Sequence, residues 1–292
     1  MQAPVDNQQA ARSAVASHAF WYHVMEVAPG VETPGWFDLR PIVDRMPWPD
    51  VRGKRCLEVG PYDGFLSFEL ERRGASEVVA TDIGSPTQWD WPLLERKRGP
   101  EVVAAISGER TGRGFEVAKE LLGSRVERVE ISAYDLTRER VGSFDVVVCG
   151  SLMLHLRDPL RALEAIRSVC QGKFLSAEAI NPALTLVQGS RPAARFHGGK
   201  LCQWWVPNPA GHRSMLEAAG FEIESVARPY AIPFGPAHPR GRGLRAWADR
   251  LATAWVTRGD GVPHVAALCH PTQDGPQPSA SATETVGRDL AA

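Results

Sequence analysis

The chain has 292 residues, of which 43% are hydrophobic, and its 33 basic and 34 acidic side chains leave a formal net charge of −1. Because this charge is close to zero, no overall field attracts nucleic acid or an acidic membrane surface. Five cysteines, an odd number without a CxxC pair, argue against a disulfide framework and against a metal site. No apolar run approaches the roughly 20 residues of a membrane span. The polar N-terminus also lacks a signal pattern, so we expect a cytoplasmic protein without membrane contact.

Strand-like and helix-like segments alternate through the middle of the chain. Strands are predicted at Arg55–Val59, Glu77–Thr81, Val126–Ile131, Phe144–Cys149 and Phe174–Ala177, followed by Glu222–Val226 and His264–Cys269. Amphipathic helices are predicted between most of the earlier strands, for example at Pro159–Val169, where Asp158 is the expected N-cap. This alternation predicts an α/β fold with a mostly parallel, doubly wound sheet.

Segments outside the predicted sheet divide the chain further. Residues 1–46 are predicted to form a helical cover segment, and residues 47–271 the ligand-binding domain. Residues 272–292 are rich in Ser, Ala and Thr and are predicted to be a disordered tail. The domain carries an insertion at about 230–262, with a helix candidate near Leu244–Val256. Segments of this kind around a rigid sheet are where specificity usually lies.

The most informative feature is a tight turn after the first predicted strand. The turn and the start of the next helix read Gly60, Pro61, Tyr62, Asp63, Gly64 and Phe65. Two glycines let the backbone approach a ligand where a Cβ would collide. The next strand delivers Asp82, about the separation at which a βαβ unit places a carboxylate beside a ribose diol. We interpret the arrangement as a nucleoside site.

The charges around this turn distinguish between nucleosides. A dinucleotide fold uses G-x-G-x-x-G and leaves the helix N-terminus free for a pyrophosphate, but Tyr62 stands here in place of the middle glycine. Asp63, with Glu58 nearby, would repel a pyrophosphate and suits a cationic amine or sulfonium. The residues therefore favour S-adenosylmethionine over NAD. A strand, turn and helix without a ligand is the remaining alternative.

The same residues resemble class I S-adenosylmethionine-dependent methyltransferases. The similar segments are Glu58–Gly64 for the first motif of that family, Ala80–Ile83 for the second and Phe144–Ser151 for the fourth. Other segments are similar to a subgroup that includes the tRNA wobble-uridine carboxymethyltransferase and related bacterial small-molecule methyltransferases: Trp21–His23, Thr33–Trp36, Leu154–Pro159 and Trp205–Asn208. The resemblance spans roughly Trp21 to Pro271. It implies a Rossmann-like, seven-stranded sheet with an antiparallel last strand, and S-adenosyl-L-methionine as the cofactor.

The resemblance also implies which residues hold the cofactor. They are Glu58, Gly60, Pro61, Tyr62, Asp63, Gly64 and Phe65 around the turn, Asp82 and Ile83 after the second strand, Tyr134, Asp135 and Leu136 after the third, and Gly150 and Ser151 after the fourth. Asp135 is the expected acceptor for the adenine amino group. An Asx-type turn before Leu136 is the alternative.

Two histidines are candidates for a catalytic base, which is needed only if the acceptor loses a proton. His155 follows the fourth strand, and its pKa range suits proton removal from a phenol or an activated carbon. Its alternative role is to order the loop. His23 belongs to an aromatic cluster that we expect to lie near the acceptor, with a hydrophobic plug as the alternative.

Four further residues are predicted to contact the substrate: Tyr22, Trp204, Trp205 and Asn208. The tryptophans could stack on a flat acceptor. A packed loop in which Asn208 is a helix cap or turn residue is the alternative.

From these residues we predict methyl transfer to a small-molecule acceptor, aromatic or a natural product. Near-neutral charge and the lack of an added RNA-binding domain favour this over RNA, although arginines at 240, 242, 245, 250 and 258 form one basic concentration. Modification of tRNA wobble uridine, by methyl or carboxymethyl transfer, is one alternative. A non-catalytic cofactor-binding protein is another. The sequence does not decide between O-, N- and C-methylation and leaves a homodimer open.

Overall fold

The computed structural model describes residues 3–97, 111–199, 202–239, 241 and 243–272. The tail predicted from residue 272 therefore lies outside the described residues apart from its first position. The N-terminal part contains α1 (Ala3–Ala16), β1 (Glu26–Ala28) and β2 (Val31–Glu32), and β1 pairs with β2 as a small antiparallel ribbon.

The central elements follow the predicted alternation of strands and helices. They are β3 (Arg55–Val59), α2 (Phe65–Arg72), β4 (Glu77–Asp82), α3 (Leu93–Lys97), α4 (Arg113–Leu122), β5 (Glu127–Glu130), α5 (Arg138–Val141), β6 (Phe144–Gly150), α6 (Pro159–Val169) and β7 (Cys170–Ala179). As predicted, α6 begins with Pro159, and the Asp158 side chain accepts a hydrogen bond from the Arg161 backbone N–H, at 3.1 Å. This N-cap satisfies a donor that the helix itself leaves free.

The last third of the chain completes the sheet and adds a helical insertion. Its elements are α7 (Pro182–Gln188), β8 (Ala194–Phe196), β9 (Trp205–Pro207), α8 (Pro209–Ala218), β10 (Phe221–Val226), β11 (Tyr230–Ile232), α9 (Leu244–Thr257) and β12 (Val262–Pro271). β8 and β9 form a separate antiparallel pair. None of the helices in the described part of the chain is long and apolar enough to cross a membrane.

The main sheet has the strand order β10-β12-β7-β6-β3-β4-β5. The pairs β3/β4, β3/β6, β4/β5 and β6/β7 are parallel, whereas β12 runs antiparallel to both β7 and β10. The predicted α/β architecture with an antiparallel last strand is thus confirmed. An eighth strand, β11, also pairs with β12. It was not predicted because its three residues are too short to show a hydrophobic period.

Both faces of the sheet are covered by apolar side chains. On β6, Val146 and Val148 belong to one buried cluster, which includes α2, α4 and the N-terminal segment, while Val147 and Cys149 belong to the other, which includes α6 and α8. A strand that is buried on both faces carries a continuous apolar run instead of an alternating one. This explains why β6 was readable from the sequence.

The topology brings segments that are far apart in sequence to one end of the sheet, where the carboxyl ends of the parallel strands lie. β3, β4, β5, β6 and β7 end there, and the antiparallel β12 begins there, because His264 lies opposite Ala179 at the end of β7. The N-terminal segment joins the same region through backbone bonds from Asp38 N to Pro233 O, 3.0 Å, and from Gly235 N to Trp36 O, 2.6 Å. A Cβ on Gly235 would collide with the Gly35 carbonyl, so this close approach requires glycine.

Candidate functional site

The turn after β3 has the backbone of a ligand cradle. Gly60 and Gly64 adopt φ angles of +76° and +95°, which glycine tolerates and other residues rarely adopt. A Cβ on Gly60 would lie 3.0 Å from the Leu152 side chain, so the space above the turn would be narrowed by any larger residue. Tyr62 has a φ of +55°, a strained conformation that is found mainly at functional sites. The turn therefore fits a ligand that approaches the backbone closely.

Asp82, the predicted ribose acid, lies beside this turn at the end of β4. Its Oδ1 accepts a hydrogen bond from the Ile83 backbone N–H at 2.8 Å. Burial raises the pKa of Asp82 to about 6, while the backbone N–H groups of Ile83 and Tyr62 and the charge of Arg128 act in the opposite direction. A partly buried carboxylate can accept the two hydroxyl donors of a ribose, so the residues present fit the nucleoside half of S-adenosylmethionine.

Asp63 has a different role from the one predicted. It is 1% exposed, and its Oδ2 accepts hydrogen bonds from the backbone N–H groups of Tyr22, 2.7 Å, and His23, 3.0 Å. Its Oδ1 pairs with His23 Nδ1. A buried carboxylate needs such partners, because an unpaired charge is expensive away from water. The expectation that the Asp63 charge faces a sulfonium is therefore corrected: Asp63 anchors the N-terminal segment to the turn.

Glu58 lies buried beneath the turn, 2% exposed, and accepts a hydrogen bond from the Ser67 hydroxyl of α2. Burial raises its pKa to about 7, and the Ser67 bond and the nearby His23 lower it. Phe65, the first residue of α2, is also buried, and its ring contacts His23 at 5.8 Å. Pro61 is buried as well. Glu58, Phe65 and Pro61 are therefore buried next to the turn and stabilise its conformation.

The predicted adenine side lies on the turn after β5. Leu136 is 2% exposed and belongs to the core, so its side chain does not face a ligand. Asp135 is exposed at the rim, with its Oδ1 3.9 Å from Arg161 Nη2. Ile83 is partly buried next to Asp82. The Tyr134 hydroxyl donates a hydrogen bond to Asp90 Oδ2, a contact that was not predicted.

Asp90 joins three segments that are far apart in the chain. Besides Tyr134, its Oδ2 accepts a hydrogen bond from the Arg157 backbone N–H at 2.7 Å. Its backbone carbonyl accepts one from Trp204 Nε1, also at 2.7 Å. Asp90 thus holds the segment after β4 against the loops that follow β6 and precede β9. In the sequence, Asp90 is an acid between two tryptophans, and this pattern was the signal that could have revealed its role.

Ser151, at the end of β6, makes a second unpredicted contact. Its Oγ lies 2.8 Å from Nε2 of His264, whose Nδ1 lies 2.9 Å from the Val262 carbonyl oxygen. Because a carbonyl only accepts, Nδ1 carries the proton and Nε2 accepts the Ser151 hydroxyl. Burial lowers the pKa of His264 to about 4, so the ring is neutral near pH 7. Ser151 has a φ of +54°, and Gly150 precedes it at the same edge.

Glu178 on β7 is the third residue missed from the sequence. It is 1% exposed and accepts hydrogen bonds from the backbone N–H groups of Leu152, 3.3 Å, and Met153, 3.1 Å. Burial raises its pKa to about 8. Glu178 and the Ser151–His264 pair surround the loop after β6. An acid inside an otherwise apolar strand was the signal that could have revealed it.

The two predicted base candidates lie in different surroundings. His155 Nδ1 donates to the Cys202 carbonyl at 2.8 Å, and burial lowers the pKa of His155. His23 is bonded to Asp63 of the cofactor turn. No hydrogen bond, ion pair or ring contact joins His23 to His155 among the described residues. The structure therefore attaches His23, and not His155, directly to the turn.

The predicted substrate residues separate into two groups. Tyr22 contacts the rings of Tyr62, 5.1 Å, and Phe37, 4.8 Å, next to the cradle. Trp204 is buried, and its backbone N–H donates to the Leu154 carbonyl at 2.7 Å. The indole N–H of Trp205 donates to the Arg157 carbonyl at 3.1 Å. Both indole N–H groups are thus occupied by backbone carbonyls of the surrounding loops.

The prediction that Asn208 contacts the substrate is corrected. Its side chain is fully buried and caps α8, accepting hydrogen bonds from the backbone N–H groups of Gly211, 2.8 Å, and Ala193, 3.0 Å. Its Nδ2 donates to the carbonyls of Arg191, 2.9 Å, and Gly189, 3.4 Å. All of its polar atoms are used inside the protein, so the cap alternative describes it and a substrate contact does not.

The chain is similar to proteins named as O-methyltransferases. The chain is 30% identical over 184 residues to a ubiquinone biosynthesis O-methyltransferase of Xanthomonas euvesicatoria pv. vesicatoria, covering 61% of this chain and 66% of that protein. It is 28% identical over 165 residues to a protein of the same name from Pseudomonas aeruginosa, covering 55% of this chain and 57% of that one. The chain thus spans less than two thirds of the length of these relatives.

Solved structures show weaker similarity. The 1,6-didemethyltoxoflavin-N1-methyltransferase of Burkholderia thailandensis is 14% identical, with a TM-score of 0.45, over 76% of this chain and 72% of that one. The N-terminal domain of EvdMO1, crystallised with S-adenosylhomocysteine and D-fucose, is 16% identical, with a TM-score of 0.49, over 91% of this chain and 97% of that one. These values support no statement about an acceptor.

A family model described as a methyltransferase domain matches residues 38–226. The match includes the turn after β3, Asp82 and the loop after β6, and it covers more than half of the chain. The protein therefore belongs to the methyltransferase domain family, and its cofactor is S-adenosylmethionine.

Proposed function

We propose that the protein transfers a methyl group from S-adenosylmethionine to a hydroxyl group of a small aromatic or natural-product acceptor. The observation that carries this proposal is the attachment of an aromatic N-terminal segment to the cofactor turn through the His23–Asp63 pair. The relatives named as O-methyltransferases support oxygen as the receiving atom.

Aromatic rings form a wall next to the turn. Phe20 and Tyr22 contact the Tyr62 ring at 5.9 and 5.1 Å, and Phe20 also contacts Trp36 at 4.9 Å. Aromatic rings attract one another when they pack edge-on or tilted at such distances, so a further flat ring could pack against this wall. The wall is tied to the strand edge by bonds between the N-terminal segment and the residues after β11. A flat, weakly charged acceptor therefore suits this enclosure better than a polyanion does.

His23 is the base that we assign. S-adenosylmethionine supplies a methyl group on a positively charged sulfur. Asp63 accepts from Nδ1 of His23 and so fixes the ring in the tautomer whose Nε2 is free to take a proton. The same logic of a carboxylate that orients a histidine operates in hydrolase triads. His23 would remove the acceptor hydroxyl proton, and His155 would order the loop that contains Cys202.

The subgroup that contains the tRNA wobble-uridine enzyme remains the first alternative. Its carboxylated cofactor needs cationic side chains near the transferred group. In the described part of the chain, the polar side chains bonded at the turn are Asp63, Glu58 and His23, and His23 is already paired with Asp63. The charge of Arg128 acts on Asp82, the predicted ribose acid. A cofactor-binding protein without turnover is the second alternative. Both are outcomes of the experiment below.

The test is transfer of a labelled methyl group to a panel of phenols and catechols, and to bulk tRNA, together with calorimetric binding of S-adenosylhomocysteine. We expect methylated phenols from the wild type. His23→Asn, whose amide can still donate to Asp63, should lower turnover about 10²- to 10⁴-fold, the usual contribution of a positioned base. It should leave the affinity for S-adenosylhomocysteine unchanged. Asp82→Asn should weaken that affinity about tenfold or more, because a charged acceptor is lost.

The control is His155→Ala. If it abolishes turnover while His23→Asn retains it, the base is His155 and our assignment is wrong. Methylation of tRNA alone would establish the RNA alternative. Binding of S-adenosylhomocysteine without methylation of any panel member or of tRNA would support the non-catalytic alternative and contradict our proposal.

A further inference from the structure

Helix α9 exposes its large apolar side chains. Its side toward the protein contains Thr253 and Thr257, both 4% exposed, and the Thr257 hydroxyl donates to the Thr253 carbonyl at 2.8 Å. Its outward side contains large apolar residues instead: Leu244, Trp247, Leu251 and Trp255, with exposures of 87%, 62%, 48% and 80%. A surface helix normally buries its apolar side. Exposed apolar patches of several hundred Å² mark interaction sites.

The four exposed residues form one narrow stripe, which we call the α9 stripe. They follow one another at steps of three, four and four residues, so on a helix of 3.6 residues per turn they lie within an arc of about 80°. An apolar side that packs on a globular core is wider, about 100° or more, whereas a narrow stripe is typical of a seam between two helices. The width therefore points to another helix as the partner.

We propose that the α9 stripe is the interface of a homodimer in which two copies of α9 pack antiparallel about a twofold axis. With the axis between Trp247 and Leu251, Trp247 packs against the partner's Leu251, and Leu244 packs against the partner's Trp255. Each contact then combines a large ring with a smaller side chain. Ala248, which lies beside the stripe, lets the two backbones approach each other. The stripe is thus complementary to itself, as a twofold interface requires.

The area is sufficient for a stable pair. The exposed parts of the four side chains amount to on the order of 600 Å². Helix α7 contacts α9 and presents Leu186, 49% exposed, and Val187, 78% exposed. The stripe alone gives about 600 Å² per partner, which is the lower end of the range for stable protein interfaces.

Charge also favours a second copy over a lipid surface. A helix that lies on a membrane carries lysines and arginines on the side opposite its apolar side. In α9 that opposite side packs on the protein through Thr253 and Thr257. Arg250 lies off the stripe and is paired with Asp260, Nη2 to Oδ2 2.7 Å. Arg258 is exposed at the C-terminal end of the helix and not on the side opposite the stripe.

The test is sedimentation velocity of the full chain from about 1 to 50 μM, a range that covers micromolar dissociation constants. We expect the wild type to sediment at twice the chain mass. Trp247→Glu and Leu251→Glu should each raise the dissociation constant at least 100-fold, because a charge would be buried in the seam. The matched control is Leu94→Glu on α3, an exposed leucine (73%) on another helix, which should remain dimeric.

A second variant leaves the four residues of the α9 stripe unchanged. Ala248→Cys should form a disulfide between two copies after treatment with copper phenanthroline, because antiparallel pairing brings this position close to the twofold axis. A wild type that stays monomeric at 50 μM would overturn the proposal, whether or not it binds phosphatidylglycerol vesicles. A dimer that persists in both glutamate variants, and that is not crosslinked when Ala248→Cys is oxidised, would also overturn it.

Discussion

The proposed adenosine side and the proposed acceptor side of the site are built in different ways. The adenosine side comes from one βαβ unit: Gly60 follows β3, Asp82 ends β4, and the two strands pair in parallel. The proposed acceptor side comes from remote segments, since His23 and Asp63 are 40 positions apart in the chain, and the loop after β6 is held by an equally remote contact between Ser151 and His264, 113 positions apart. Local geometry therefore sets the first, and the packing of the whole domain sets the second. Changes on the acceptor side should consequently affect stability as well as turnover.

The largest effect should come from the pair that joins the two sides. Asp63→Ala should lower the free energy of unfolding by about 3–5 kcal/mol, because it leaves His23 and two backbone N–H groups buried without their acceptor. His23→Ala should cost a similar amount, and the double variant should cost much less than the sum. Urea unfolding of the four proteins measures this coupling.

The control for this cycle is Asp44→Ala. Asp44 pairs with Arg73 but is 81% exposed, so its loss should cost less than about 1 kcal/mol. Additive costs for Asp63→Ala and His23→Ala would show that the pair does not hold the N-terminal segment on the turn.

The next effect concerns pH and Glu178, which lies between the loop after β6 and the core. Burial raises its pKa from 4.5 to about 8, so the folded protein keeps a proton there that the unfolded chain has lost. The stability that this proton provides is complete below pH 4.5 and is lost as the pH rises toward 8. Glu178→Gln stays neutral, so the wild type should lose about 2–4 kcal/mol relative to the variant between pH 5 and 9.

Unfolding by urea at pH 5, 7 and 9 gives the comparison. Burial raises the pKa of Glu58 to about 7 and lowers that of His212 to about 4, but both groups are present in the two proteins and cancel in the difference. Parallel pH curves for the wild type and Glu178→Gln would show that Glu178 is ionised in the folded state.

The two sides were also unequally predictable from the sequence. The strands of the sheet other than β11, the cap at Asp158 and the turn at Gly60 were found because each depends on neighbouring residues. The position of Asp82 at the end of β4, beside the turn, was found because the length of a βαβ unit fixes its separation from the turn, whereas its contact with a ribose stays a prediction.

The corrected and missed residues share the opposite property. Asp63 was assigned to a sulfonium because the sequence does not show that His23 folds back onto it. His264 was missed because its role depends on an antiparallel strand that returns to Ser151 from the end of the domain. Glu178 and Asp90 contact backbone N–H groups of remote loops. Contacts of this kind follow from the completed fold and have no local pattern.

The smallest expected effect tests whether Asn208 stabilises the fold or binds the substrate. Asn208→Ala should lower the free energy of unfolding by about 1–2 kcal/mol, because it removes the α8 cap and the bonds to Arg191 and Gly189. Affinity for S-adenosylhomocysteine, measured by calorimetry, should not change, since no polar atom of Asn208 is free for a ligand. Asn208→Asp keeps the two acceptor bonds and should recover part of the loss. If Asn208→Ala instead weakened acceptor binding at unchanged stability, Asn208 would line the acceptor site and the burial of its side chain would have to open in solution.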